Sequence, residues 1–211
     1  GFSNSGQSCH APSRMLVHRA QVAEVLVHLQ DEIGRMKMGD PRDPATTHGP
    51  MVHVQQYDSV QRHIQIGLDE GAQLVTGGLG RADGLNHGYF CKPTIFSEVT
   101  RDMTLAREEI FGPVLVVMPY DTEEQALDIA NDSIFGLGGY VFGEDHQRAY
   151  EFACGLRAGR ISFNGANTNS YTPMGGYKQS GIGRSMGVFG LEEFLQIKSI
   201  YGFDAGSRPS F

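Results

Sequence analysis

Cys9 is the side chain best suited to chemistry: it follows Gly6-Gln-Ser8 and stands just ahead of the strand-like run Ser13-Arg-Met-Leu-Val17. A cysteine attacks carbonyl carbon as its thiolate, and a free thiol with a pKa of ~8.5 is only slightly ionised at neutral pH, so the backbone around it must help. Gly6 permits close approach of the chain, and a loop of unspent N–H groups can stabilise a thiolate and cradle an oxyanion. An isolated cysteine is more often a small buried hydrophobe, so the nucleophile reading depends on what lies downstream. Glu109 and Phe111 lie in Glu108-Glu-Ile-Phe-Gly-Pro113, where a carboxylate able to accept two hydroxyl protons stands two residues from an apolar ring. Alone, that segment reads as a charged loop leading into the Val114 strand. Asn164-Gly-Ala-Asn-Thr-Asn-Ser170 is a polar loop behind a strand-like run, where α/β proteins commonly build sites. His10 adjoins Cys9, but adjacency in sequence does not make it a base, and the eight histidines show no metal-ligand spacing.

Taken whole, Asn4-Ser-Gly-Gln-Ser-Cys9-His-Ala-Pro-Ser-Arg14 resembles the catalytic-cysteine segment of the NAD(P)-dependent aldehyde dehydrogenase superfamily. Two further blocks agree, Arg107-Glu-Glu-Ile-Phe-Gly-Pro-Val114 and Pro173-Met-Gly-Gly-Tyr-Lys-Gln-Ser-Gly-Ile-Gly-Arg184, in the family's order. The resemblance implies a covalent mechanism in which the Cys9 thiolate adds to an aldehyde, hydride passes to NAD or NADP, and water releases a thioester as the carboxylic acid. It implies that Glu109 bonds the nicotinamide-ribose hydroxyls and that Phe111 flanks the nicotinamide. Gln56 matches a cofactor-contacting glutamine, with a solvated helix residue as the alternative. Asn167 and Tyr171 are candidates for the aldehyde entrance, and Lys178 is expected to organise the glycine-rich turn. Gly181-Ile-Gly-Arg-Ser-Met-Gly187 looks superficially like a dinucleotide loop, but no strand leads into it and its spacing is G-x-G-x-x-x-G, so it is read as structural. Met174 stands where the family has Phe, and Ser185 where an acidic residue is usual; neither removes chemistry.

The resemblance also implies parts that these residues do not supply. The family's cofactor domain, general-base glutamate and oxyanion asparagine lie upstream of the cysteine, so the chain is expected to be a C-terminal catalytic piece, inactive alone, that partners a cofactor domain. A non-catalytic fragment or paralogue kept for oligomerisation is the alternative. A Cys–His hydrolase lacks an identifiable downstream His–Asn pairing.

The elements that must position these residues alternate between strand and helix patterns, which predicts an α/β fold with a mainly parallel sheet flanked by helices. Strands are expected at Arg14–Val17, Gln73–Thr76, Tyr89–Phe96, Val114–Tyr120, Gly139–Phe142 and Arg160–Asn164. Helices are expected over 22–33, with Val22, Val25, Leu26, Leu29 and Ile33 on one face, and over 54–70, 122–132 and 146–154. Thr122-Glu-Glu-Gln125 fits a capping box. Residues 1–193 form the catalytic domain of this scheme, and residues 194–211 a tail with loose strand character. In the family the corresponding tail extends a neighbouring subunit's sheet, which predicts a homo-oligomer.

Composition bounds the rest. The 211 residues are 40% hydrophobic and 19% charged, enough for one domain with a real core. A net charge of −7 argues against a nucleic-acid partner. Three cysteines without C-x-x-C spacing fit a reducing, cytoplasmic setting and no metal site. Apolar runs such as Val114–Met118 are far shorter than the ~20 residues of a membrane helix.

Overall fold

The computed structural model describes residues 1–202 and builds one sheet from β1 (Arg14–His18), β2 (Gln73–Thr76), β3 (Thr94–Ser97) and β4 (Val114–Tyr120). Its order is β1-β4-β3-β2, with β4 parallel to both neighbours and β2 antiparallel to β3. Strand β4 is the axis. Val114, Val116 and Met118 face one core, and Leu115 and Val117 face another, as the two-residue period of a strand requires. A run buried on both faces is the pattern of an interior parallel strand.

Helices cover both faces. On one, α1 (Val22–Gly34) packs Val22, Val25, Leu26, Leu29 and Ile33 against Val17, Ile95, Leu115 and Val117, the stripe that the sequence periodicity predicts. On the other, α2 (Val54–Asp69), α3 (Thr104–Arg107) and α4 (Glu123–Asn131) contribute Val60, Ile64, Leu105 and Ile129 to the larger core. Burying side chains of this size stabilises the fold by about 1.5–3 kcal/mol each. Thr122 caps α4 as expected, its hydroxyl accepting from the Gln125 N–H at 3.2 Å. A second, two-stranded parallel sheet, β5 (Gly138–Val141) and β6 (Arg160–Phe163), is joined by α5 (His146–Gly155) and followed by α6 (Gly187–Glu192).

Three expectations change. The strand predicted from Tyr89 is confined to Thr94–Ser97, because Pro93 has no N–H and the Tyr89 and Phe90 carbonyls accept from Met51 and Ala82 in the loops. Helix α3 went unpredicted. Its first turn is held from outside by Glu70, whose carboxylate accepts from the Thr104 N–H at 2.8 Å and the Thr104 hydroxyl at 2.6 Å, a contact across 34 positions that no local pattern reveals. The tail forms no strand among its described residues: Phe194 and Leu195 turn back on Leu191 and Glu192, and 196–202 have no neighbouring ladder to join. Residues 203–211 of that predicted strand lie outside the described residues.

One helix end ties the chemistry-bearing segments together. Arg14 donates to the Ile129 and Ala130 carbonyls at 3.1 and 3.0 Å, and Lys178 to the Asn131 and Ser133 carbonyls at 2.7 and 2.9 Å. Arg107 clasps the Asp132 carboxylate with two bonds of 2.9 Å. The carboxyl end of α4, with its unpaired carbonyls and negative dipole end, thereby holds the strand after Cys9, the residue before Glu108-Glu109 and the glycine-rich turn.

Candidate active site

The turn bearing Cys9 is pinned on both sides. Asn4, Ser5 and Gly6 run through the left-handed region with φ of 52°, 54° and 72°. That sharp reversal buries Ser5, whose hydroxyl donates to the Gly49 carbonyl at 2.9 Å. Gln7 accepts from the Val52 N–H at 2.9 Å and donates to the Pro50 carbonyl at 3.3 Å. Beyond the cysteine, the His10 carbonyl accepts from the Tyr140 hydroxyl at 2.9 Å. Cys9 is left exposed on the turn between these anchors. Among the described residues, the N–H groups of Ser8, Cys9 and His10 donate to no protein acceptor, so they remain free for a developing negative charge. No His10–Cys9 hydrogen bond forms.

The Glu109 segment lies against this turn. Strands β1 and β4 run parallel, so the loops entering them share one edge of the sheet. Gly6 packs directly on the Gly112 carbonyl, leaving no room for a Cβ. The segment rests on one face of α2 at three points spaced i, i+4, i+7. Gln56 donates to the Ile110 and Phe111 carbonyls at 3.0 Å each, Val60 packs on Gly112, and His63 meets Glu108 at 3.2 Å. With Glu108 tethered and Ile110 buried, Glu109 and Phe111 project to solvent, Phe111 with a φ of 54°. Among the described residues, the Glu109 carboxylate has no ion pair or hydrogen bond, which leaves its acceptors for a ligand. The residues expected to meet a nicotinamide ribose thus fit that group in chemistry and accessibility.

Other sequence candidates fall differently. Gln56 is a staple whose NH2 group is spent on two carbonyls rather than a solvated helix residue. Lys178 is likewise structural, and burial, with Arg157 and Arg14 nearby, draws its ammonium pKa below the ordinary value. The glycine-rich run also proves structural: Met174 and Ser185, the two departures from the family pattern, exchange backbone bonds of 2.7 Å with each other. Asn167 and Tyr171 are exposed on the loop after β6, Tyr171 at 86%. That loop is held by Asn164, which bonds both backbone groups of Gly143 at 2.9 Å, and no hydrogen bond links it to the Cys9 turn. Sequence reasoning missed His63, although the doubled glutamate at 108–109 hinted that one carboxylate needs a partner within the fold.

Two cavities lie away from Cys9. One of about 300 Å³ sits at the opposite edge of the parallel strands, against His18, Tyr120 and Arg148, and another of about 390 Å³ is bounded by Asp40, His87 and Phe90. Cys9 and Glu109 are both exposed, on two loops at one edge of the sheet. Among the described residues no group of His, Cys, Asp and Glu is arranged to hold a metal, and no helix is long and apolar enough to cross a membrane.

Residues 1–200 match the profile of the aldehyde dehydrogenase family. The chain is 47% identical over 201 residues to a protein from Staphylococcus haemolyticus named putative aldehyde dehydrogenase, covering 95% of this chain and 42% of that protein. It is 51% identical over 202 residues to a 3-succinoylsemialdehyde-pyridine dehydrogenase from a Pseudomonas species, with the same coverage. Among solved structures, it superposes with a TM-score of 0.94 and 46% identity on a cysteine-to-alanine variant of aldehyde dehydrogenase C from Pseudomonas syringae, complexed with NAD+ and octanal, covering 97% of this chain and 42% of that one. A Mycobacterium tuberculosis aldehyde dehydrogenase complexed with NAD+ gives a TM-score of 0.90 at 42% identity, over 93% of this chain and 40% of that one. The chain thus spans about 42% of the length of these relatives.

Proposed function

This chain belongs to the aldehyde dehydrogenase family, and on that premise we propose that it supplies the nucleophile and part of the nicotinamide site for oxidation of an aldehyde to a carboxylic acid. Cys9 Sγ, once deprotonated, bonds to the aldehyde carbon, and the carbonyl oxygen takes up the negative charge. The Cys9 N–H, unspent in the turn, is placed on the nucleophile's own residue to stabilise that oxygen. A bound NAD(P)+ supplies the hydride acceptor. Glu109 presents a free carboxylate to the ribose hydroxyls, and Phe111 offers an apolar ring to exclude water beside the nicotinamide. Release of the resulting Cys9 thioester requires a base to activate water. Among the described residues no imidazole or carboxylate bonds to Cys9, so that group comes from outside this set, and the domain alone is expected to stop short of turnover.

The observation that carries this reading is an exposed cysteine on a turn with unspent N–H donors, packed through Gly6 on the loop that frees Glu109. The complexes of relatives with NAD+ and octanal support the same ligand classes here. A homo-oligomer is part of the proposal, supported by the apolar side chains Phe194, Ile197 and Tyr201, each at least 88% exposed. The test is the pH dependence of Cys9 alkylation by iodoacetamide, with and without NAD+, using Cys9→Ser as the blank. A thiol more acidic than a free cysteine, alkylated at a rate that NAD+ changes, supports the proposal. An ordinary thiol indifferent to NAD+ in the longest natural polypeptide containing this sequence sinks it and favours a scaffold role.

A further inference from the structure

We infer that His63 is a positioning residue for the Glu109 carboxylate, acting through Glu108; this rests on the reading of Glu109 as a nicotinamide-ribose ligand. His63 is a core residue of α2, 5% exposed, with two oxygen neighbours. Its Nδ1 lies 2.8 Å from the Ser59 carbonyl and its Nε2 lies 3.2 Å from Glu108 Oε2. The Ser59 carbonyl and the Glu108 carboxylate lie at the two nitrogens of one ring, so the imidazole bridges the α2 backbone to the Glu108 side chain. That buried ring, held by its own helix, fixes one carboxylate of the Glu108-Glu109 doublet.

The consequence follows from the alternation of side chains along the segment. With Glu108 held by His63 and Ile110 buried, Glu109 and Phe111 have one outward direction. Gln56 fixes the Ile110 and Phe111 carbonyls from the same helix face, so His63 is the anchor on the Glu109 side and Gln56 the anchor on the Phe111 side. Without the His63 anchor, both glutamates are free to compete for the outward position, and the ligand-facing carboxylate loses its preset geometry.

The test compares Glu108→Ala, Glu108→Gln, His63→Ala and Glu109→Gln in the longest natural polypeptide containing this sequence, reading the Kd for NAD+ by calorimetry and Tm by thermal melting. Glu108 is the safer probe because its side chain is 64% exposed and its truncation opens no cavity. Glu108→Ala is expected to weaken NAD+ roughly tenfold with Tm nearly unchanged, and Glu108→Gln, which keeps an acceptor for Nε2–H, to recover most of that loss. If Glu109→Gln weakens NAD+ while Glu108→Ala does not, the inference fails and the Glu109 assignment stands. If Glu109→Gln leaves the Kd unchanged, the assignment fails and this inference with it. Should His63→Ala fail to fold, the Glu108 variants decide.

Discussion

Gly6 and Gly112 touch backbone to backbone, so the turn that presents Cys9 and the segment that presents Glu109 form one packed unit. Strands β1 and β4 bring the two loops to the same sheet edge, and these glycines set the separation.

Gly6→Ala should therefore be costly twice over. A Cβ collides with the Gly112 carbonyl, and φ of +72° is strained for alanine. The expected loss is about 1–3 kcal/mol or more in urea denaturation, with slower Cys9 alkylation at fixed pH. Unchanged stability would mean that the two loops are not in contact.

Phe111→Gly separates stability from ligand binding. Phe111 adopts φ of +54° and is 37% exposed, so glycine relieves the backbone but gives up the buried part of the ring. The lost burial, about 1–2 kcal/mol, offsets or exceeds the strain relieved, so the variant should unfold at equal or lower urea concentration, and it should bind NAD+ more weakly because the apolar flank is gone. A ring important only for packing would lower stability and leave NAD+ binding unchanged.

The three cysteines should differ sharply under alkylation. Cys9 and Cys154 are exposed, whereas burial pushes the Cys91 thiol up to about 11. Mass spectrometry after iodoacetamide at pH 8 should find Cys9 and Cys154 modified and Cys91 intact. Because the folded state holds the Cys91 proton more tightly than the unfolded chain, its contribution is complete below about 9 and is lost as pH rises through about 11. Cys91→Ala should flatten that alkaline fall, at the cost of a small cavity.

At the acid end the corresponding group is Asp132. Its hydrogen bonds from Arg107 hold the carboxyl below its ordinary range, so its contribution is present above that range and is lost as pH falls through the folded value. Asp132→Asn should flatten the acid limb of a stability profile. Lys178→Met, which strips side-chain donors from the Asn131 and Ser133 carbonyls, should lower stability by about 1–3 kcal/mol at neutral pH without changing the pH profile of Cys9 alkylation. A shifted alkylation profile would give Lys178 a part in the chemistry.

What the sequence makes legible is whatever local pattern encodes. The α1 stripe from Val22 to Ile33, the buried run Val114–Met118 and the Thr122 cap all follow from side-chain period and capping chemistry. The motif blocks around Cys9, Glu109 and Lys178 are equally plain as residue types. The length of β3 was less so, because Tyr89 and Phe90 look like strand residues until their carbonyls are seen paired with Met51 and Ala82.

The sequence by itself determined the nucleophile candidate, the family resemblance and the alternation of strands and helices, since these reside in contiguous residues. Only the tertiary structure decided that Gln56 is a staple, that Arg14, Arg107 and Lys178 converge on one helix end, and that Glu108 rather than Glu109 is tethered. The physical reason is that a hydrogen bond depends on distance in space: His63 and Glu108 lie 45 positions apart, and Arg14 and Ile129 lie 115 apart. No periodicity along the chain records such a meeting, which comes about only when the parallel pairing of β1 with β4 brings their entering loops side by side.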